Sequence, residues 1–171
     1  MYDPKGKNNW CGGSIYSETV VVTAAGCCQI LRIAPVRARI QIVAGDLSPT
    51  INSEIGQRFK IESYLIHPNY TENVETNDIC LLYLKGGFNL TTGYVKNISL
   101  ATNDPEPNTE CNVSGWTSSH NPPGKLKWSM VTTITNEKCK TLYQDLVPEL
   151  QICVDKKVNS KLNINYSRHE F

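Results

Sequence analysis

An excess of charge of either sign is absent from this 171-residue chain, in which 17 Lys and Arg stand against 16 Asp and Glu for a net charge of +1. That balance gives no polyelectrolyte pull toward nucleic acid or an anionic membrane surface. Long hydrophobic runs are missing too: no stretch approaches 18 consecutive apolar residues, so no segment reads as a membrane span. Cysteines spaced two to four residues apart, the usual mark of a structural zinc site, do not occur, and neither a metal nor a cofactor is expected. Internal repeats and low-complexity tracts are lacking. With 19% charged and 40% apolar residues, 11 Gly and 9 Pro, the composition is that of an ordinary globular protein. A disordered, collagen-like or coiled-coil chain is thereby excluded. At about 150 residues per domain, the length suits one domain or two small lobes.

What the chain has in plenty is cysteine, at Cys11, Cys27, Cys28, Cys80, Cys111, Cys139 and Cys153. Cysteines spread through a strand-and-turn chain favour disulfides and an oxidising, extracellular compartment. Five Asn-x-Ser/Thr sequons point the same way, making Asn69, Asn89, Asn97, Asn112 and Asn165 candidate glycosylation sites. An odd number of cysteines leaves at least one thiol unpaired. The opening MYDPKGKNNW is polar and lacks the apolar core of a signal peptide. A secreted composition without a secretion signal reads as a chain that is missing part of its beginning.

Short strand patterns recur between turn-rich stretches. Residues 20–23 (VVVT) are β-branched, and residues 37–44 (RARIQIVA) are β-prone. Residues 58–65 alternate, with Phe59, Ile61 and Leu65 on one face and Arg58, Lys60 and Glu62 on the other. Residues 79–84 (ICLLYL) are almost continuously apolar, as in a strand buried on both faces, and residues 128–135 (WSMVTTIT) alternate again. One segment reads as helix: residues 137–147 place Cys139, Leu142, Tyr143 and Leu146 at helical spacing, with Asn136 as N-cap and Pro148 as stop. Residues 93–110, rich in Pro, Asn and Asp, read as a surface linker, and residues 155–171 as a tail. The fold class is all-β, in two lobes.

Residues 10–28 (WCGGSIYSETVVVTAAGCC) closely resemble the segment of trypsin- and chymotrypsin-like serine proteases that carries the catalytic histidine, C-G-G-S…V-T-A-A-H-C. Further motifs follow in register: Ile66-His67-Pro68-Asn69-Tyr70 resembles I-H-P-x-Y, and residues 76–82 (TNDICLL) resemble N-D-I-A-L-L. Residues 111–116 (CNVSGW) are similar to the C-x-x-S-G-W that opens the second barrel. The resemblance covers residues 10–154 and implies an incomplete chymotrypsin-like double β-barrel, without the first strand and much of the second barrel. It divides the chain into a first barrel (1–92), a linker (93–110), a partial second barrel with the helix (111–154) and the tail. It also implies the disulfides Cys11–Cys27 and Cys139–Cys153, and places the partner of Cys111 in a C-terminal part that is not there. Cys28 is then expected to be unpaired, and Cys80 an unpaired apolar filler.

The same resemblance puts the catalytic histidine at position 26, which here is Gly26, and the triad acid at Asp78. The G-D-S-G-G-P segment that supplies the nucleophile and oxyanion N–H groups has no counterpart in residues 155–171. Serine acyl transfer needs a base, an acid that orients it and an oxyanion hole, so no catalysis is expected of the chain as it stands. Asp78 reads as an orphan acid held by backbone amides. His67 reads as a structural loop residue, His120 as an exposed turn residue and His169 as part of the tail. Three functions compete: a non-catalytic homolog that binds a protein or peptide as a partner or decoy; an incomplete chain of a secreted serine endopeptidase; and a fragment without selected function. An unclosed barrel exposes edge N–H and C=O groups together with its apolar interior. The chain expressed alone is therefore expected to aggregate or to melt broadly, and a soluble monomer with a sharp, reversible calorimetric transition would contradict this.

Overall fold

The computed structural model describes residues 1–5, 8–9, 11–72, 76–116, 124–142 and 151–156, the side chains of 8, 9 and 156 excepted. His120, His169, Asn165, the second half of the expected helix (143–147) and all but the first two residues of the expected tail lie outside them. The described residues fall into two compact units. One comprises Met1–Leu100 with Trp116–Leu126, and the other Ala101–Gly115 with the residues from Lys127 onward.

The first unit is built on a seven-stranded antiparallel sheet. Its strands are β1 (Tyr2–Asp3), β2 (Asn8–Asn9), β3 (Ser14–Ile15), β4 (Val20–Thr23), β5 (Gln41–Ala44), β6 (Gln57–Ile66) and β7 (Cys80–Lys85), in the order β2-β1-β5-β6-β7-β4-β3. The polar opening of the chain, where the sequence shows no strand pattern, thus supplies two short strands. The β-prone run 37–44 is strand only from Gln41. Pro35 sits in the first turn of a short helix over Ala34–Arg37, where its missing N–H leaves no helical bond unmade.

The ten-residue β6 pairs through its first half with β5 (Gln41↔Lys60 to Ala44↔Gln57) and over most of its length with β7 (Lys60↔Lys85 to Ile66↔Cys80). Between Ile61 and Ser63 the register slips, so Glu62 is an extra residue. Such a bulge bends the strand and reverses its alternation. Phe59 and Ile61 pack on the core before it, Tyr64 and Ile66 after it, while Glu62 and Ser63 both face out. Leu65, expected on the inner face with Phe59 and Ile61, is consequently 55% exposed. The apolar run 79–84 is likewise corrected: Cys80, Leu82 and Leu84 are buried, whereas Leu81 and Tyr83 are only half-buried. Val21 and Ile42 from the sheet and Leu31 and Ile40 from outside it complete the core.

At the open end between β5 and β6, burial is polar. Asp46, 3% exposed, accepts from Arg58 Nη2 at 2.8 Å and from the Ser53 hydroxyl. Arg58 also donates to Asn52 Oδ1 (3.1 Å) and to the carbonyls of Pro49 (2.9 Å) and Ile51. Gly56 is required here, because a Cβ at that residue would fall 2.1 Å from Asp46 Oδ2.

The second unit is a three-stranded antiparallel sheet in the order β10-β9-β8, with β8 at Glu110–Gly115, β9 at Lys127–Thr133 and β10 at Val154–Lys156. Ser129, Val131 and Thr133 alternate on the buried face of β9. Thr133 Oγ1 accepts the N–H of Thr109 (2.9 Å) and donates to Glu106 O (2.7 Å), which ties the end of the Pro- and Asn-rich 93–110 stretch to the sheet. The helix runs over Asn136–Leu142, and its cap is Thr135 rather than Asn136: Thr135 Oγ1 accepts the N–H of Lys138 at 3.2 Å.

Disulfides join Cys11 to Cys27 and Cys139 to Cys153, and Cys111 carries a free thiol. The expectation that Cys28 and Cys80 are unpaired is overturned. They are bonded to each other with a Cα–Cα distance of 6.6 Å, and both are fully buried. Consecutive helical residues diverge by about 100°, so neighbours in sequence reach different partners: Cys27 meets the segment before β3, while Cys28 meets the start of β7. This bridge spans 52 residues against 14 for Cys139–Cys153. In the chain-entropy treatment the longer loop contributes about 4 kcal/mol and the shorter about 3. Urea titrations of the C28A/C80A and C139A/C153A double variants should therefore show the larger midpoint loss for C28A/C80A.

Candidate functional site

The positions that the sequence singles out for chemistry, 26 and 78, meet in the first unit. Strand β4 ends at Thr23, whose hydroxyl donates to Gly12 O at 2.8 Å, and α1 follows over Ala25–Gln29. The helix buries Ala25, Cys27 and Cys28 and turns Gly26 to solvent. Two consecutive half-cystines directly after Gly26 leave this turn of helix little freedom. Ala24 precedes it in extended backbone and gives no side-chain cap.

Asp78 arrives from the turn before β7. Asn77 adopts a positive φ of 56°, which asparagine tolerates, and its Nδ2 donates to Asn69 O at 3.0 Å. His67 N–H donates to Ile79 O (3.0 Å), and Tyr70 N–H to His67 O (3.0 Å). The His67 ring acts as a brace: its Nδ1 accepts the N–H of Asn69 at 3.2 Å. These bonds hold the two turns, 67–71 and 76–79, against one another and present Asp78 toward α1.

There Asp78 Oδ1 accepts the N–H of Gly26 at 2.8 Å. The carboxylate thereby satisfies one of the first-turn amides of α1 that has no partner within the helix. Asp78 and Gly26 are both exposed. Gly26 stands in ordinary helical backbone, and a Cβ built there would meet Tyr70 Oη at 3.4 Å and Asp78 Oδ1 at 3.8 Å. Both are normal van der Waals contacts, so the site has room for a side chain pointing between the Tyr70 hydroxyl and the Asp78 carboxylate. As it stands the pair offers the Asp78 carboxylate alone, with no imidazole or other titratable group at residue 26. Glycine has no group that could take a proton from a nucleophile and return it to a leaving group.

Elsewhere in the same unit an open cleft of about 520 Å³ is lined by Tyr2, Gln41, Pro49, Asn52 and Arg58. Its guanidinium is committed to Asp46, Asn52 and the loop carbonyls. Among the described residues no three His, Cys, Asp or Glu side chains stand together as a metal site would require, and no helix is long and apolar enough to cross a membrane.

Two features of the site escaped reading from sequence. One is Tyr70, whose hydroxyl borders position 26 although 44 residues separate them. The other is the Cys28–Cys80 bridge, which begins two residues after Gly26 and ends two after Asp78. A usable signal existed for it: setting aside the two expected bridges and Cys111, the remaining cysteines are the two that flank the candidate positions.

The family model described as Trypsin matches residues 2–166. Trypsin beta of Drosophila erecta is 35% identical over 135 residues, covering 75% of this chain and 49% of that protein. Trypsin delta of Drosophila melanogaster is 32% identical over 133 residues, with the same coverage of each. Human Trypsin-3 is 30% identical over 151 residues, covering 86% of this chain and 47% of its own length. The chain thus spans about half the length of the curated relatives it matches.

Because the Cβ contacts at position 26 are ordinary and its backbone is helical, Gly26→Ala should raise stability by about 0.5–1 kcal/mol. A fall in the denaturant midpoint of that variant would show that the space beside Asp78 is not open as described.

Proposed function

As the chain belongs to the trypsin family, we propose that it is a non-catalytic member, which acts by binding a protein or peptide in an extracellular setting and not by cutting one. The observation that carries this reading is Gly26 opposite Asp78. In serine acyl transfer the acid acts only through the base it orients. The resemblance places that base at residue 26, and Asp78 Oδ1 is taken up there by a backbone N–H instead. Loss of the base alone lowers turnover by a factor on the order of 10⁶ in such a machine. Three disulfides suit the oxidising surroundings the reading requires.

A second reading is an incomplete chain of a secreted serine endopeptidase. It is favoured by the chain covering about half the length of its relatives, and by an aspartate standing at the acid position with its turn intact. Gly26 weighs against it, since a longer chain with the same residue would still lack the base.

The deciding experiment uses the natural, full-length protein purified from its source. It is treated with a fluorophosphonate that labels activated serines and with a panel of peptide esters, and the peptide spanning residues 23–28 is sequenced by mass spectrometry. Glycine at 26, no covalent label and no ester hydrolysis above buffer are expected. Labelling together with turnover would replace the first reading by the second.

A further inference from the structure

We propose that Asn89 is an acceptor site for an N-linked glycan, an inference that rests on the extracellular reading above. The sequon Asn89-Leu90-Thr91 follows β7 in the first unit, and its neighbours decide how it is presented. Phe88 is 2% exposed and meets Phe59 edge-on at 5.0 Å, and Leu90 packs against the same core. With an anchored apolar residue on each side, Asn89 is turned outward to solvent. Gln57 fixes its backbone from both directions, donating from Nε2 to Asn89 O (2.9 Å) and accepting the Asn89 N–H on Oε1 (2.8 Å).

The side chain is equally defined. Asn89 Oδ1 accepts both the N–H (3.0 Å) and the hydroxyl (2.7 Å) of Thr91, the residue that makes the motif a sequon. The carboxamide oxygen is thereby occupied, while Nδ2 makes no hydrogen bond to any described residue. Both bonds lie within three residues, so this turn can form before any tertiary structure exists, when a nascent chain is modified. In the finished fold the same nitrogen faces solvent, so a glycan would displace no core residue.

The other described sequons differ. Asn112 lies within β8, paired opposite Met130. Asn69 has its N–H and carbonyl engaged by His67 and Asn77, in the turn that holds Asp78. Asn97 is exposed but has no contact with the hydroxyl of Ser99, and the following Ile98 N–H is tied to Ile15 O. Asn89 alone of these four combines a free amide nitrogen with an engaged hydroxyl partner.

In the modification, Asn89 Nδ2 attacks the anomeric carbon of a lipid-diphosphate-linked oligosaccharide. The N–C bond forms as the C–O bond to the diphosphate breaks. The lipid diphosphate leaves with the bonding electron pair, and one amide proton passes to a base of the transferring enzyme.

The test expresses the whole 171-residue chain behind a cleavable secretion leader in a eukaryotic host, with a separate reporter sequon in an N-terminal tag. Total cell and medium fractions are collected, so a variant that fails to fold is still read. Peptide N-glycosidase in ¹⁸O-water then marks each occupied asparagine. Heavy-oxygen aspartate at position 89 is expected in the parent and in T91S, and its loss in T91A and N89Q, each with one glycan step less on a gel. An unmarked Asn89 in chains whose reporter sequon is occupied would overturn the proposal. An occupied Asn89 in this host upholds the site even if the natural protein is found with reduced cysteines inside the cell, a finding that would overturn the extracellular reading alone.

Discussion

Everything around position 26 depends on two covalent bonds that leave one turn of helix in different directions. Cys27 is tied to Cys11 and Cys28 to Cys80, and a helix of only five residues could not hold its place without them. The bridges link α1 to the segment before β3 on one side and to the first residue of β7 on the other. The backbone between them therefore has one position relative to the Asp78 turn. The hydrogen bond from Gly26 to Asp78 is a consequence of this anchoring more than a cause of it, since an exposed N–H···carboxylate contact competes with water.

The same unit handles its buried polar groups by local closure. Buried Asp46 pairs with half-buried Arg58, and their remaining donors and acceptors are used by Ser53, Asn52 and loop carbonyls. A pair of this kind adds little net stability but makes the loss of either partner costly, because the other is then left charged and uncompensated. These bonds tie residues 46–56 to β6, while Leu47, Ile51 and Ile55 of the same loop stay exposed.

Chemically, the meeting point of α1 and the Asp78 turn has no side chain at residue 26. Asp78, the turn that carries it and the hydroxyl of Tyr70 all border residue 26 on its helix. An open notch lies where a side chain at residue 26 would project, between Tyr70 Oη and Asp78 Oδ1. Nothing in the packing demands glycine at 26, in contrast to Gly56, where any Cβ would collide with Asp46. Packing therefore leaves residue 26 free to carry a side chain.

Much of this was legible in the residues themselves. The β-branched and alternating runs marked β4, β6 and β9, because strand patterning is local and has a period of two. The apolar run 79–84 marked β7, although only one of its faces is fully buried. The order of the motifs identified the scaffold and the positions facing each other at the site. What stayed hidden was decided between segments distant in sequence. The bulge at Glu62 reversed the faces of Tyr64 and Leu65, because an extra residue is defined only against a partner strand. The partnership of Cys28 and Cys80 depends on a helix direction and a strand end meeting across 52 residues. The exposure of Asp78, the nearness of Tyr70 to residue 26 and the outward turn of Asn89 follow from the same cause. Sequence determines which groups a segment carries, and only the packing of segments against one another decides what each group faces.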